Sequence, residues 1–329
     1  MKPRSPSTRK TGLITNPHSR RNRAGLGALS AIVSDRANIL HRVTERPEQI
    51  IDALREFAAD GVGVLAINGG DGTTARVLTE LIERRPFARL PAVVLLPGGT
   101  TNANAGDLGL RGDLARAAST LASWAGGKTG RTQTLRRAIL RIEGATCVEP
   151  LCGLFFGAGS VIGGIEYCQS SLHARGIGDS IGPGLAVLRV LWGMFRNEPR
   201  FAAPTEMRLE LAPAPEACSR QVLLLMITTL DRLILRMRPY WGSESGPLHC
   251  TWIEQPARSL MRLFPSVLRG KPAAGATPAH GYFSHNCAQM RLWFDGTFTL
   301  DGEMYQASRE TGPLTVSSGG ELEFLRIDR

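Results

Sequence analysis

Residues 62–67 read Val-Gly-Val-Leu-Ala-Ile. One residue later comes Gly69-Gly70-Asp71-Gly72-Thr73, and then a stretch to Glu83 with helical periodicity. An apolar run, a glycine-rich turn and a helix in that order limit the architecture sharply. The run is a buried strand, and the turn lies between its carboxyl end and a helix start. Glycines let backbone N–H groups approach an anion closely, and a helix start adds a partial positive charge. The turn is suited to a phosphate, and the carboxylate of Asp71 in its middle requires a reason of its own.

The same strand-to-turn pattern occurs on both sides of it. Thr11 to Thr15 reads as a strand ending in Asn16-Pro17-His18-Ser19, and Asn38 to Val43 as a second strand. Pro47 suits a first helical turn, with Ile50, Ile51, Leu54, Phe57 and Ala58 as the apolar stripe of the helix it opens. The helix after Thr73 puts Val77, Leu78, Leu81 and Ile82 on one face, with Thr73 or Thr74 as N-cap. Ala92 to Leu96 is a further strand and runs into Pro97-Gly98-Gly99-Thr100-Thr101-Asn102. Strands alternating with helices predict a parallel sheet with helices on both faces. In such a sheet the three polar turns converge at the carboxyl edge, where open α/β sheets bind ligands.

The pattern changes near residue 130. Short alternating segments follow, at Arg137 to Glu143, Met207 to Leu211, Gln221 to Thr228, Gln289 to Phe294, Thr297 to Leu300 and Glu321 to Ile327. Gly and Pro clusters separate them, which predicts a mainly antiparallel β-sandwich. A helix is expected within 172–196 and a mobile loop over 265–281. The expected organisation is a basic flexible tail over 1–10, an α/β nucleotide-binding domain over 11–130 and a β-sandwich lipid-substrate domain over 131–329. The segment Ala122 to Thr129 imitates a phosphate-binding P-loop, but a helix precedes it and polar residues follow. It reads as a helix stop entering the linker.

Residues 1–23 carry seven basic side chains and no acid, within a net charge of +10. Such a tail is either solvated or drawn to an anionic membrane surface, where each Lys or Arg contributes about 1 kcal/mol. No aromatic-interleaved basic strand marks a nucleic-acid reader, so nucleic acid is not an expected partner. The six cysteines show no C-x-x-C pair and no ligand-like spacing. With no apolar h-region at the N-terminus and no run of about 18 apolar residues, a cytoplasmic protein with free thiols is expected.

Late in the chain Asp301-Gly302-Glu303 follows the strand-like Thr297 to Leu300. Read alone, it is either a hairpin turn with solvated acids or a source of a catalytic carboxylate.

The ordered set Asn16-Pro17-x-Ser19, Gly69-Gly70-Asp71-Gly72-Thr73, Pro97-x-Gly99-Thr100-x-Asn102 and Asp301-Gly302-Glu303 resembles the diacylglycerol kinase catalytic family. That family includes bacterial lipid kinases and the sphingosine and ceramide kinases. The resemblance implies transfer of the γ-phosphate of ATP to a lipid hydroxyl, with Mg2+. It implies that Asn16, Thr44, Gly69, Gly70, Asp71, Gly72, Thr73, Thr74, Ala75, Thr100 and Asn102 hold the nucleotide. Asp71 would act through the metal or on the nucleophile, and Glu303, with Asp301 beside it, as general base. The implied partner is a membrane lipid, diacylglycerol or a sphingoid or ceramide type, reached from the inner membrane face; a homodimer is left open.

The sequence also departs from the family pattern. His18 and Arg20 stand where Lys and Gly are frequent, Ala75 replaces a common Asn, and Ala103 replaces the usual Asp. Many bacterial members hold a structural Mg2+ in an Asp-rich loop of the second domain. The matching Gly242-Ser243-Glu244-Ser245-Gly246-Pro247 has no Asp, and Glu244 is its one candidate ligand. Two alternatives remain: an NAD kinase, which shares the GGDG turn but not the Pro97–Asn102 turn, and a nucleotide-binding regulator without catalysis.

Overall fold

The computed structural model describes residues 9–328 apart from 35, 129, 145–148, 168–188, 191, 195, 213 and 272–273. The chain forms two compact units, one from Met1–Arg137 with Gly320–Arg329, the other from Ala138–Gly319. Most of the basic tail and most of the helix expected within 172–196 lie outside the described residues.

The first unit alternates β1 (Thr11–Thr15), α1 (Arg20–Val33), β2 (Ile39–Val43), α2 (Glu48–Ala59), β3 (Val64–Gly69), α3 (Asp71–Glu83), β4 (Ala92–Pro97), α4 (Ala103–Leu108) and α5 (Leu114–Ala125). The strands pair in parallel in the order β4-β3-β1-β2. In register, Thr15 stands opposite Val43 and Asn68, and Gly69 opposite Pro97. Three of these strand ends therefore release their polar turns at one edge, as the spacing of the turns requires.

Burial explains the order. Every residue of β1 and β3 is buried, as expected of central parallel strands covered on both faces. Leu13, Leu29, Val64, Ala66, Val94, Leu121 and Trp124 share one core. On the other face Phe57 of α2, wholly buried, lies where a β-carbon at Gly12 would be, 2.4 Å from its ring. That close approach is why β1 has a glycine in its interior. Truncating Phe57 to Ala would cost about 3–5 kcal/mol.

Two features differ from the sequence expectation. Helix α3 begins at Asp71 with Gly70 in the N-cap position, not at Thr73 or Thr74. Thr74 is already inside the first turn, its hydroxyl donating to the Gly70 carbonyl at 3.2 Å. The extended backbone of Gly70 (φ −86°, ψ −176°) supplies the cap geometry. Secondly, residues 320–328 do not stay with the second unit. They return to the first unit, where Phe324 pairs in parallel with Val93 and Leu325 and Ile327 join the core.

The second unit is antiparallel. Its elements are β5 (Arg131–Gly144), whose first residues belong to the first unit, β6 (Leu151–Gly153), β7 (Phe155–Gly159), α6 (Ser160–Tyr167), α7 (Pro199–Ala202), β8 (Thr205–Leu211), β9 (Ala214–Thr228), β10 (Leu248–Glu254), α8 (Leu260–Val267), β11 (Tyr282–Cys287), β12 (Gln289–Trp293), β13 (Gly296–Leu300), β14 (Glu303–Ala307) and β15 (Leu314–Asp328). The strands follow the path β14-β13-β7-β9-β8-β12-β15, with β10 and then β11 added to β9, and β6 paired with β5. Phe156, Leu225, Cys250, Leu292 and Phe298 are central to its main core. A mixed set of parallel and antiparallel strands with flanking helices results.

The loop expected over 265–281 is partly helical. Leu263, Phe264 and Val267 of α8 are buried against Phe201, Leu223 and Tyr282, which gives this segment a packing role. Among the described residues no helix is long and apolar enough to cross a membrane. Cys152, Cys218, Cys250 and Cys287 are free thiols.

Candidate functional site

The three turns of the first unit are bonded to one another. Asn16 sits just past β1. Its side-chain oxygen accepts the His18 N–H at 2.9 Å, which closes the first turn, and its amide donates to the Thr73 hydroxyl at 2.9 Å. The Ser19 hydroxyl accepts the N–H of Gly70 at 3.2 Å, and the N–H of Arg21 donates to the Gly98 carbonyl at 3.1 Å. In the third turn Asn102, at φ 50°, turns its side chain back on Gly99. Its oxygen accepts the Gly99 N–H and its amide donates to the Gly99 carbonyl, both at 2.8 Å. The turns approach so closely that a β-carbon at Gly99 would lie 2.4 Å from the Gly70 α-carbon. No side chain fits there.

Asp71 is the one carboxylate in the three turns. One oxygen accepts the N–H of Ala103 and the other that of Asn104, each at 3.0 Å. The acid thus satisfies two of the N–H groups that the start of α4 leaves without an internal partner. Burial pushes its carboxyl above the usual range, and the Asn104 and Ala103 N–H groups oppose that rise.

Beneath the turns lies a buried polar layer of which sequence reasoning named Thr44 but not Asn22, His41 or Asn68. Asn22 of α1, wholly buried, donates to the carbonyls of Asn16 at 2.6 Å and Asn68 at 3.3 Å. Asn68 donates to the Thr15 hydroxyl at 3.4 Å, and His41 meets the same hydroxyl through Nε2 at 3.0 Å. Thr44, nearly buried, donates its N–H to the Thr15 carbonyl at 2.9 Å. Burial lowers the pKa of His41, and the neighbouring Arg42 lowers it further. The visible sequence signal was Asn68 itself, a polar residue closing an apolar strand.

The structure gives the residues of the three turns different positions. Asn16, Gly69 to Thr73 and Asn102 are drawn into one network, and Thr100 is half-buried beside it. Thr74 and Ala75 face the packed side of α3. The first-turn N–H groups of α3 have no acceptor within the helix, the usual situation of an anion-binding helix start.

Asp301 and Glu303 lie in the second unit and serve different ends. Leu300 pairs with Glu303, so Asp301-Gly302 is a two-residue hairpin turn with φ of 50° and 90°. Asp-Gly is suited to such a turn. The Asp301 carboxylate is buried and accepts the N–H groups of Leu154 and Phe155, both at 3.0 Å. Glu303, the next strand's first residue, is exposed.

Asp71 fits the usual way of holding Mg2+. That ion takes one or two carboxylates and completes its shell with phosphate oxygens and water. Each Asp71 oxygen holds one N–H and keeps a lone pair free. The Gly242–Pro247 loop does not fit a structural metal. Glu244 is its one acid, too few carboxylates for a structural site, and it meets His285 Nδ1 at 2.6 Å and the Asn286 N–H at 3.1 Å. Among the described residues no three His, Cys, Asp or Glu side chains converge.

The second unit also has an open cavity of about 460 Å³, lined by Met194, Leu223, Pro256, Leu260 and Met261, with Arg262 at its rim.

Residues 10–131 match the family model of the diacylglycerol kinase catalytic domain. The fold resembles that of a diacylglycerol kinase from Bacillus anthracis str. Sterne, at 15% identity, a TM-score of 0.57 and 97% coverage of both chains. Two further structures of candidate diacylglycerol kinases from the same organism align at 16% identity, with TM-scores of 0.62 and 0.60 and the same coverage. No curated protein matches the chain.

Proposed function

Because residues 10–131 belong to the diacylglycerol kinase catalytic domain family, we propose that the chain is an ATP-dependent lipid kinase. It would transfer the γ-phosphate of ATP to the hydroxyl of a membrane lipid of the diacylglycerol, sphingoid or ceramide type. The observation that carries this reading is the locking of three glycine- and asparagine-rich turns at one sheet edge. The same reading takes the antiparallel unit as a β-sandwich that receives the lipid, with the cavity beside Leu260 as a place for apolar chain.

In this account the N–H groups at the start of α3 and the Gly69–Thr73 backbone hold the ATP phosphates. Phosphoryl transfer needs mainly positioning and neutralisation of charge, which preorganised N–H groups supply at little reorganisation cost. Asn16 and Ser19 fix the first two turns against each other, so the phosphate cradle does not have to be ordered by the nucleotide. Mg2+, when bound, would neutralise phosphate charge, and Asp71 is the side chain that would hold it. Glu303 is the proposed base for the lipid hydroxyl, being exposed and free of the backbone contacts that engage Asp301. Asp301 is a positioning residue, holding the hairpin that begins with it. The enzyme would work on the inner membrane face from the cytoplasm.

The test is to incubate the purified chain with γ-labelled ATP and Mg2+ and, separately, diacylglycerol, ceramide, sphingosine, phosphatidylglycerol and NAD. Label in one of the lipids supports the reading. Label in NAD would move the assignment to the other GGDG kinase, and bound ATP with no labelled product to a regulator.

A further inference from the structure

The second unit carries a strongly basic, partly apolar surface that adjoins the cavity proposed for apolar chain. One part is the loop 231–238, in which the Met237 carbonyl accepts the Leu233 N–H at 2.8 Å. Within it Leu235 (φ 56°, ψ 19°) and Arg236 (φ 59°) lie in the left-handed region, unusual for residues with a β-carbon. The Leu235 side chain is 52% exposed. A strained backbone that turns an apolar side chain into solvent calls for a functional explanation. On either side of it stand Arg232, Arg236 and Arg238, all exposed.

The second part is α8 and its flanks. Leu263, Phe264 and Val267 face the core, while Met261 on the outer side is 40% exposed. Arg258, Arg262, Arg269 and Lys271 are exposed as well. The two parts are physically joined. The Arg238 N–H donates to the Leu268 carbonyl at 2.8 Å, and a β-carbon at Gly270 would lie 2.4 Å from the Arg238 carbonyl oxygen. The loop thus lies beside the end of the helix that leads to Arg269 and Lys271. Over 231–240 and 257–271 there are seven cationic residues and one acid, Asp231. None of the seven has a carboxylate partner among the described residues.

We propose that this surface docks the protein on an anionic lipid bilayer, with Leu235 and Met261 entering the interface and the arginines meeting the headgroups. Charge complementarity argues for an anion, and the exposed apolar side chains among the cations argue for a bilayer over a nucleic acid. Among the described residues, no exposed aromatic stacking platform of the kind used for single strands accompanies them. The proposal deepens the lipid-kinase reading, since it says how a chain whose described residues include no helix long and apolar enough to cross a membrane would reach its substrate.

The experiment is co-sedimentation of the full chain, without ATP, with phosphatidylcholine vesicles and with vesicles containing roughly one-third phosphatidylglycerol. The wild-type chain should bind the anionic vesicles, and Arg236→Glu with Arg238→Glu should weaken that binding at least about tenfold. Leu235→Gly relieves the left-handed strain, so it should keep or raise the melting temperature while weakening vesicle binding. Unchanged binding by both variants, equal binding to neutral vesicles, or tighter binding to duplex DNA would overturn the proposal. Assays on detergent-dispersed lipid separate the two claims. Variants that lose activity on vesicles alone support docking, whereas a wild-type chain that sediments with vesicles and phosphorylates no lipid counts against the kinase reading only.

Discussion

The carboxylate of Asp71 accepts the backbone N–H of Asn104 at 3.0 Å, thirty-three residues along the chain. Through this bond, and its twin from Ala103, the acid in the second turn fixes the helix that follows the third. Asp71→Asn should therefore affect more than chemistry. An amide has one acceptor oxygen, so one of the two N–H groups would face an amide donor. The variant should fold, lose about 1–3 kcal/mol of stability in a denaturant titration, and show no transfer.

The hairpin acids should separate cleanly. Asp301→Ala leaves the Leu154 and Phe155 N–H groups without their acceptor in a buried place and should cost about 2–4 kcal/mol in thermal or chemical unfolding. Glu303→Gln, on an exposed side chain, should change stability by no more than about 0.5 kcal/mol and abolish phosphate transfer. Equal stability losses for the two would remove the distinction between a positioning residue and a base.

Gly99→Ala places a methyl 2.4 Å from the Gly70 α-carbon, against backbone that cannot rotate aside. The turns must separate, at about 1–3 kcal/mol. Nucleotide affinity, followed by a titration with ATP, should fall with the stability. An alanine variant with wild-type affinity would show that the close approach of the turns is irrelevant to binding.

His41 gives a pH signature. Its folded pKa is lowered, first by burial and then by Arg42, so the folded state prefers the neutral ring. The unfolded chain then binds more protons as pH falls below about 6.5, its ordinary value. The contribution is present in full above that value and is lost as pH falls toward the folded pKa. His41→Gln should flatten the slope of unfolding free energy against pH in that window and leave the slope above pH about 7 unchanged.

How much of this was legible in the sequence depended on distance along the chain. The strand, turn and helix around Gly69 are local, and their order could be read directly. The alternation over Glu321 to Ile327 identified a strand but not its sheet, because a strand's partner is not written in its own pattern. Its return to Val93 therefore came only from the structure. Thr73 looked like a cap by residue type, yet the extended backbone of Gly70 takes that position. Asn22 was invisible as a site residue, since its partners are the carbonyls of Asn16 and Asn68 in other elements. Likewise the Gly242–Pro247 loop showed its lack of Asp, but not the long-range His285 and Asn286 contacts that hold Glu244.

The most direct test of the central claim is transfer of label from γ-labelled ATP into lipid, run in parallel with wild type and Glu303→Gln. The account predicts labelled lipid phosphate from the wild type, and none from a variant that is folded and still binds ATP. A folded, ATP-binding wild type that labels no lipid, or a Glu303→Gln variant that labels as well as wild type, would contradict it.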